Sequence, residues 1–468
     1  MKRLNRHALK LPPAPIRIVH LGLGAFHRAH QAWYTERANA NARTGDRWGI
    51  AAFTGRSPRA AEALAAQDGL YTLITRAPDG DSAEVMTAIV EARDGADAHR
   101  WRELLAAPTT AVVTLTVTEA GYRRGQDGTL DLADPDVAAD IQRLLAREDS
   151  AALTVPGRLV DGLRARREAG GRGIAVISCD NVAHNGEVTK QTLLALANAI
   201  DTTLSEWIRA KVSFVSTMVD RITPGTTADD IAEAAELTGY ADNAPVVAEP
   251  FSEWLLAGAF PAGRPAWERA GARFVADVAP YEQRKLWLLN AGHSLLAYTG
   301  LPRGHETIAE AMEDPGCVQL LELLWADVRA VLPSAALEID AYLDALRRRF
   351  TNPRIRHQLK QIATDGSVKL PMRAFPVIRK RLAEGKDIGS GEVALVAAWI
   401  LHLSTPGSDV NDGGADRLVA GLGMSPEADA ELTLSVLASD LAGNAGVVSA
   451  IAAATRQLTT QHLSPTAL

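Results

Sequence analysis

The chain has 468 residues, 47% of them apolar and 22% charged, the balance of an ordinary globular protein long enough for two or three domains. A net charge of -7 and a pI near 5.9 leave no basic footprint for nucleic acid. No apolar run is long enough to span a bilayer, and two cysteines, Cys179 and Cys317, are too few for a disulfide framework or a structural zinc site, so the cytoplasm is the expected address.

The opening "MKRLNRHALKLPPAPIRIVHLGLGAF" begins basic, but Pro12, Pro13, Pro15, Arg17 and His20 interrupt any apolar region, and it does not read as a signal peptide. From Ile16, short β-branched runs alternate with helical ones: "IRIVHLG", a helix from about Phe26, "WGIAAFT", a helix over "SPRAAEALAAQ", then "TTAVVTLTVTEAGY" and "GIAVISCDN". Strands punctuated by helices predict a doubly wound α/β domain with a mostly parallel sheet, over residues 1–276. The boundary falls within "FPAGRPAWERAGARFVADVAPYEQ", where Gly and Pro accompany a change of pattern. Beyond it the strand signals almost stop, and "CVQLLELLWADVRAVL", "ALEIDAYLDALRRRF" and "GEVALVAAWILHL" predict an all-helical domain over 277–468.

The first strand runs into "GLGAFHRAH". Gly22 and Gly24 suit the tight turn and close backbone approach that a pyrophosphate needs, which makes Gly22, Leu23, Gly24, Ala25 and Phe26 the candidate dinucleotide loop. His27 stands where the G-x-G-x-x-G fingerprint has its third glycine. The second strand lacks the acidic residue that usually holds a ribose hydroxyl, and Arg56 nearby is either a 2'-phosphate partner or a solvated loop residue. NAD is the expected cofactor, with NADP left open. His27 and His30 share an i, i+3 spacing, but no acidic or thiol partner with ligand spacing accompanies them, and no metal is expected.

Near the domain boundary "KLWLLNAGHS" places a cation, an amide and an imidazole in an otherwise apolar run. On an α-helix over Glu282 to Leu296, with Lys285 at zero, Glu282 falls at roughly 60°, His293 at roughly 80° and Asn290 at roughly 140°. The other directions are apolar, so the polar arc needs partners or a cleft. A lysine desolvated beside an oxidised nicotinamide would have its pKa lowered and become a usable base for an alcohol proton. Asn290 offers donors to a developing alkoxide, His293 a grip on a second hydroxyl, and Glu282 a path for the proton to water. The bland alternative is a snorkelling Lys285 beside two interface residues. A chemical rival is the Y-x-x-x-K pair of Tyr281 and Lys285, which lies some 260 residues after the glycine loop (281 minus 22) and beyond the α/β domain.

Where "GIAVIS" ends, Asp180 and Asn181 are expected to open onto the crevice, with Asn181 either a second oxyanion donor or a helix-capping residue. By the same logic Asp220 and Glu119 end strands, without a role that spacing assigns.

Together these stretches resemble the long-chain mannitol dehydrogenase family, which contains mannitol 2-dehydrogenases and fructuronate reductases. The likeness is carried by "HLGLGAFHRAHQAWYT", "QDGLYTL", "TVTEAGY", "SCDNVAHNG", "MVDRITP", "VAEPFSEWLL", "GRPAWE", "YEQRKLWLLNAGHS", "EAMEDP" and "DGSVKLPMR", over residues from about 16 to 380. The resemblance implies a Rossmann-like N-terminal domain, a helical second domain, an active site between them, no zinc and, weakly, a monomer. It also implies a K-x4-N-x2-H motif on Lys285, Asn290 and His293 with lysine as acid/base, Asn181 as the other oxyanion asparagine, and a histidine in place of the third glycine. The fragment "DGSVKLPMR" looks closer to the fructuronate reductase branch than to the polyol branch, which reads more like "DGSNRQPKF". Its Lys369 and Arg373 would suit the carboxylate of a sugar acid, unless Arg373 pairs with a protein acid. The expected substrate is therefore a 2-keto sugar acid, D-fructuronate interconverting with D-mannonate. The rivals are a polyol dehydrogenase (D-mannitol and D-fructose, or D-arabinitol and D-xylulose) and a dinucleotide-binding sensor without turnover.

Overall fold

The computed structural model describes residues 2–40, 42–333 and 337–463, and the chain divides into two compact units, Met1–Ala279 and Pro280–Leu468. The first unit is built on an eight-stranded sheet. In chain order its strands are β1 (Ile16–Leu21), β2 (Gly49–Phe53), β3 (Ile89–Arg93), β4 (Val112–Leu115), β5 (Ile174–Ser178), β6 (Val212–Asp220), β7 (Glu253–Ala257) and β8 (Arg273–Phe274). They lie in the order β8-β7-β6-β5-β4-β1-β2-β3, parallel from β3 through β6, with β7 antiparallel to β6. This 3-2-1-4-5-6 arrangement is the Rossmann order.

Why the strands read as unbroken apolar runs is visible in where their residues go. Ile18, Ala52, Val112 and Ile177 join one core cluster, while their chain neighbours Val19, Ala51, Val113 and Val176 join a second. Successive side chains point to opposite faces, and both faces are covered, so neither parity of position is free to be polar. A separate three-stranded sheet, Val246–Ala248 beside Tyr71–Ala77 beside Gly80–Met86, was not anticipated from the sequence. Tyr71–Ala77 and Gly80–Met86 are partly exposed and mixed in polarity, which hides the alternation, and Val246–Ala248 is buried but only three residues long.

The second unit is helical; among its described residues the β-pairing is a single bridge between Thr307 and Gln358. The predicted helices are Pro315–Arg329, Ile339–Phe350 and Ser390–Ser404. Ala336, where the second was expected to begin, lies outside the described residues. The third is buried from Gly391 to Ile400, which makes it the unit's central helix. Among the described residues no helix is long and apolar enough to cross a membrane.

β1 and β4 are neighbours whose outgoing connections diverge, the switch point at which this fold opens a crevice. There Gly22 adopts φ +109°, and a Cβ at this position would collide with the Thr116 carbonyl oxygen just past β4. The same two residues are tied by Thr116 Oγ1 donating to the Gly22 carbonyl at 2.9 Å. Gly22→Ala is expected to cost about 2–4 kcal/mol of stability through strain and steric overlap. Urea denaturation checks this, and an unchanged midpoint would contradict the close approach.

Candidate active site

At the glycine turn, the amides of Gly22 and Leu23 both donate to the Phe53 carbonyl at 2.9 Å, so these two of the five predicted loop residues spend their N–H groups on the fold. Gly24 is different. It starts the Ala25–Ala29 helix without any side-chain cap, and a Cβ there would meet only the Gly22 carbonyl oxygen, at 3.6 Å. An uncapped first turn approached over a missing side chain fits the diphosphate of a dinucleotide, leaving Gly24, Ala25 and Phe26 to present backbone donors. His27 explains the missing third glycine. Its ring lies flat on His20 of β1, centroids 3.3 Å apart and planes 9° from parallel, with the Gln31 amide near but not hydrogen-bonded. The histidine pair thus fills the helix-to-sheet gap that a glycine would have closed. Burial drives the His20 pKa down to about 3 and that of His27 well below 6.5, so both rings are neutral. His30 Nε2 donates to the Glu253 carbonyl, 3.0 Å away, and its Nδ1 accepts from the Gln31 amide.

The end of β5 corrects one expectation. Asp180 does not open onto a crevice but is buried, accepting from the Val117 amide, the Tyr122 hydroxyl and the Ser178 hydroxyl, which pins the chain after β4 to β5. Burial pushes its pKa up to about 6, although the three donors favour the charged form. Asn181, next in sequence, is exposed. It is not a helix cap: the following helix begins at Asn185, capped by His184 in a left-handed conformation, and Asn185 itself braces Asp180 and Thr217. Glu119 is exposed and paired with Arg124, while Asp220 is buried at the end of β6. Arg56 is exposed in the loop after β2.

In the helical unit, the stretch Glu282 to Leu296 is not the uniform α-helix assumed from the sequence. An α-helix over Ala279–Arg284 passes into a π-helical turn over Lys285–Asn290 and back to an α-helix over Ala291–Gly300. With i→i+5 bonding each residue turns less than in an α-helix, so Asn290 lies much closer to Lys285 round the axis than the roughly 140° of an α-helix. The polar arc is narrower than an α-helix allows. Glu282, Lys285 and Asn290 are half-buried and His293 is buried. Tyr281 lies in the preceding α turn, where the Arg284 guanidinium packs over its ring at 5.4 Å.

Two carbonyls of the π turn are met by side chains from elsewhere in the unit. Trp325 Nε1 donates to the Leu288 carbonyl at 3.0 Å, and Arg373 Nη1 donates to the Asn290 carbonyl at 3.0 Å and to Ser294 Oγ at 2.6 Å. Arg373 has no carboxylate partner among the described residues, and its Nε has no partner at all. Desolvation lowers its pKa to about 10. Lys369, the other predicted substrate cation, is spoken for. Its three N–H donors meet the carbonyls of Ile362 and Thr364 and the Thr364 hydroxyl, closing the end of the Leu359–Ile362 helix. Burial and then Arg373 bring its pKa down to about 8.

His293 stacks on Phe350 with centroids 4.5 Å apart and meets the edge of His357 at 4.8 Å. Burial, then His357 and the positive charges of Arg349, Arg373 and Lys285, push its pKa well below 6.5. Arg349, Phe350 and His357 were missed by the sequence reading. The first two sit at the end of an amphipathic helix and the third in a loop, and no periodicity or spacing connects them to "KLWLLNAGHS". Among the described residues no group of three or more His, Cys, Asp or Glu is placed to hold a metal ion.

Comparison with known proteins follows the same division. A family model described as the mannitol dehydrogenase Rossmann domain matches residues 16–269, and one described as the mannitol dehydrogenase C-terminal domain matches residues 277–459. The D-mannonate oxidoreductase of Escherichia coli (strain K12) is 38% identical, covering 94% of this chain and 93% of that protein. The mannitol 2-dehydrogenase of Cereibacter sphaeroides is also 38% identical, covering 82% and 80%. Among solved structures, the ternary complex of Pseudomonas fluorescens mannitol 2-dehydrogenase with NAD and D-mannitol superposes with a TM-score of 0.81 at 32% identity, covering 98% of both chains.

Asp180 makes a pH prediction whose sign is fixed by its raised folded pKa. Its stabilising contribution is complete below the ordinary carboxylate value of 3.8 and is lost as pH rises through about 6. The stability of the wild type relative to Asp180→Asn should therefore fall by about 2–3 kcal/mol between pH 4 and pH 7. Paired denaturation curves across that range check it, and a difference that grows with pH would reverse the assignment.

Proposed function

The chain belongs to the mannitol dehydrogenase family, dehydrogenases acting on CH–OH groups, and we propose that its own reaction is the reversible, NAD-dependent reduction of D-fructuronate to D-mannonate. The observation that carries the choice of a sugar acid is Arg373: a desolvated guanidinium without a carboxylate partner among the described residues, bonded to Ser294 next to His293 in the chain, is costly unless an anion completes it. A substrate carboxylate is such an anion, and the guanidinium fork can meet it with two hydrogen bonds. Lys369 acts in support, holding the segment that leads to Arg373, because its donors are already used. Identity alone does not separate the branches, since a D-arabinitol 4-dehydrogenase of Ralstonia nicotianae (strain ATCC BAA-1114 / GMI1000) is likewise 38% identical. NAD is supported by the solved relative in complex with it.

The dinucleotide supplies the hydride when bound. Gly24, Ala25 and Phe26 would hold its diphosphate through backbone N–H groups, the Gly22 and Leu23 amides being tied to the Phe53 carbonyl. In reduction, the Lys285 ammonium gives a proton to the substrate's carbonyl oxygen as negative charge builds there; in oxidation the neutral amine takes it back. The side-chain amide of Asn290 donates to that oxygen, the π turn bringing it round toward Lys285, and Asn181 is assigned as a second oxyanion donor by the family motif. His293, neutral throughout, holds a neighbouring hydroxyl, and Glu282 relays the proton to water.

Comparison of kcat/KM on D-fructuronate and D-fructose tests the substrate. Arg373→Ala should lower kcat/KM for the acid about 100-fold or more beyond whatever it loses on fructose, the fructose loss reporting the disturbed π turn common to both substrates. A preference for fructose that survives this substitution rejects the carboxylate grip and favours the polyol branch, and absence of NADH consumption across a ketose panel favours a sensor. Lys285→Ala should lose about 10³-fold or more in kcat yet still quench NADH fluorescence on binding, whereas Tyr281→Phe should stay close to the wild type. The opposite pattern would make tyrosine the acid/base.

A further inference from the structure

His293 is not alone. Its ring meets that of His357 edge to face, 82° between planes and 4.8 Å between centroids, and neither imidazole hydrogen-bonds to a described residue. Nε2 of His293 and Nδ1 of His357 are shut off from water as well. Native folds rarely leave buried ring nitrogens unpaired, and two in one contact ask for a ligand group that pairs with them.

The rest of the cluster holds the pair still. Phe350 backs His293 by stacking on it, planes 26° apart. The backbone on both sides of His357 is fixed: its carbonyl accepts from the Ile308 amide at 3.1 Å, its amide donates to Ile355 at 2.9 Å, and the next residue, Gln358, bridges to Thr307. Burial, and the positive charge of Arg349, lower the His357 pKa to about 4, so this ring is neutral like its neighbour. A neutral imidazole carries one donor and one acceptor, and so does each hydroxyl of an open-chain sugar. With two histidines and no third ligand in reach among the described residues, the cluster does not answer to a metal ion.

We propose that His357 is a substrate-binding residue, forming with His293 a two-imidazole cradle for adjacent hydroxyls of the sugar chain. The proposal rests on the reading of His293 as a residue that faces a sugar substrate, and it adds a specificity element on a loop far from the K-x4-N-x2-H run. Requiring two neighbouring hydroxyls in fixed relation selects against ketoses with altered configuration next to the reacting carbon.

The test uses the full chain with NADH. His357→Phe keeps the ring edge against His293 but removes both nitrogens, and His357→Asn restores a donor and an acceptor. His357→Phe should melt within about 3 °C of the wild type and bind NADH normally. It should raise KM for D-fructuronate about 10-fold or more with kcat within about 3-fold, and His357→Asn should recover part of the loss. A wild-type KM in a folded His357→Phe overturns the proposal, and if that variant does not fold, a wild-type KM in a folded His357→Gln does so. Should the wild type prefer fructose, the sugar-acid reading fails, and the same KM comparison made on fructose still decides the role of His357.

Discussion

The guanidinium of Arg373 donates to the Asn290 carbonyl and the Ser294 hydroxyl, and this clamp holds the stretch that carries Lys285, Asn290 and His293. It spans the junction where the π turn returns to α-helix, between the last π residue and the first turn of Ala291–Gly300. A π turn costs conformational strain relative to an α turn, so it persists where neighbours hold it open. Here Arg373 takes one of its carbonyls and Trp325 another. Among the described residues the same cation is left without a carboxylate, so it is a structural brace and also the basis of the proposed sugar-acid reading.

The surroundings of His293 follow from this. Arg349, Arg373 and Lys285 all bias it toward neutrality, and burial does so more strongly than any of them. A histidine that stays uncharged can accept from one hydroxyl and donate to another without adding to the positive field of these cations. Phe350 and His357 fix its ring plane, so orientation is settled before any ligand arrives.

In the first unit the organising contact is the approach of Gly22 to Thr116 across the β1–β4 switch point. Because Phe53 consumes the amides of Gly22 and Leu23, the turn is rigid where it meets the sheet and open only from Gly24 onward. Stacking of His27 on His20 does for packing what a third glycine does elsewhere, by inserting a flat neutral ring where close backbone contact would otherwise be needed. Asp180, with Tyr122 and Ser178, anchors the next strand end and leaves the neighbouring Asn181 exposed.

The sequence by itself determined the doubly wound first unit, the helical second one and the identity of the polar residues on the Lys285–His293 stretch, because burial on both sheet faces and around a central helix imprints itself as composition and period. It could not determine the π turn, since hydrophobic spacing over ten residues is compatible with either helix type and only side chains from distant helices, Trp325 and Arg373, decide between them. Nor could it separate Asp180 from Asn181, adjacent polar residues that the twist of one strand end sends inward and outward. Lys369 and Arg373 read as an equivalent cation pair, yet a helix end claims the first and leaves the second unpaired with acid. His357 carried no sequence signal at all. Its meaning is a ring contact made across more than sixty residues, from 293 to 357, and contacts of that kind are decided by tertiary packing alone.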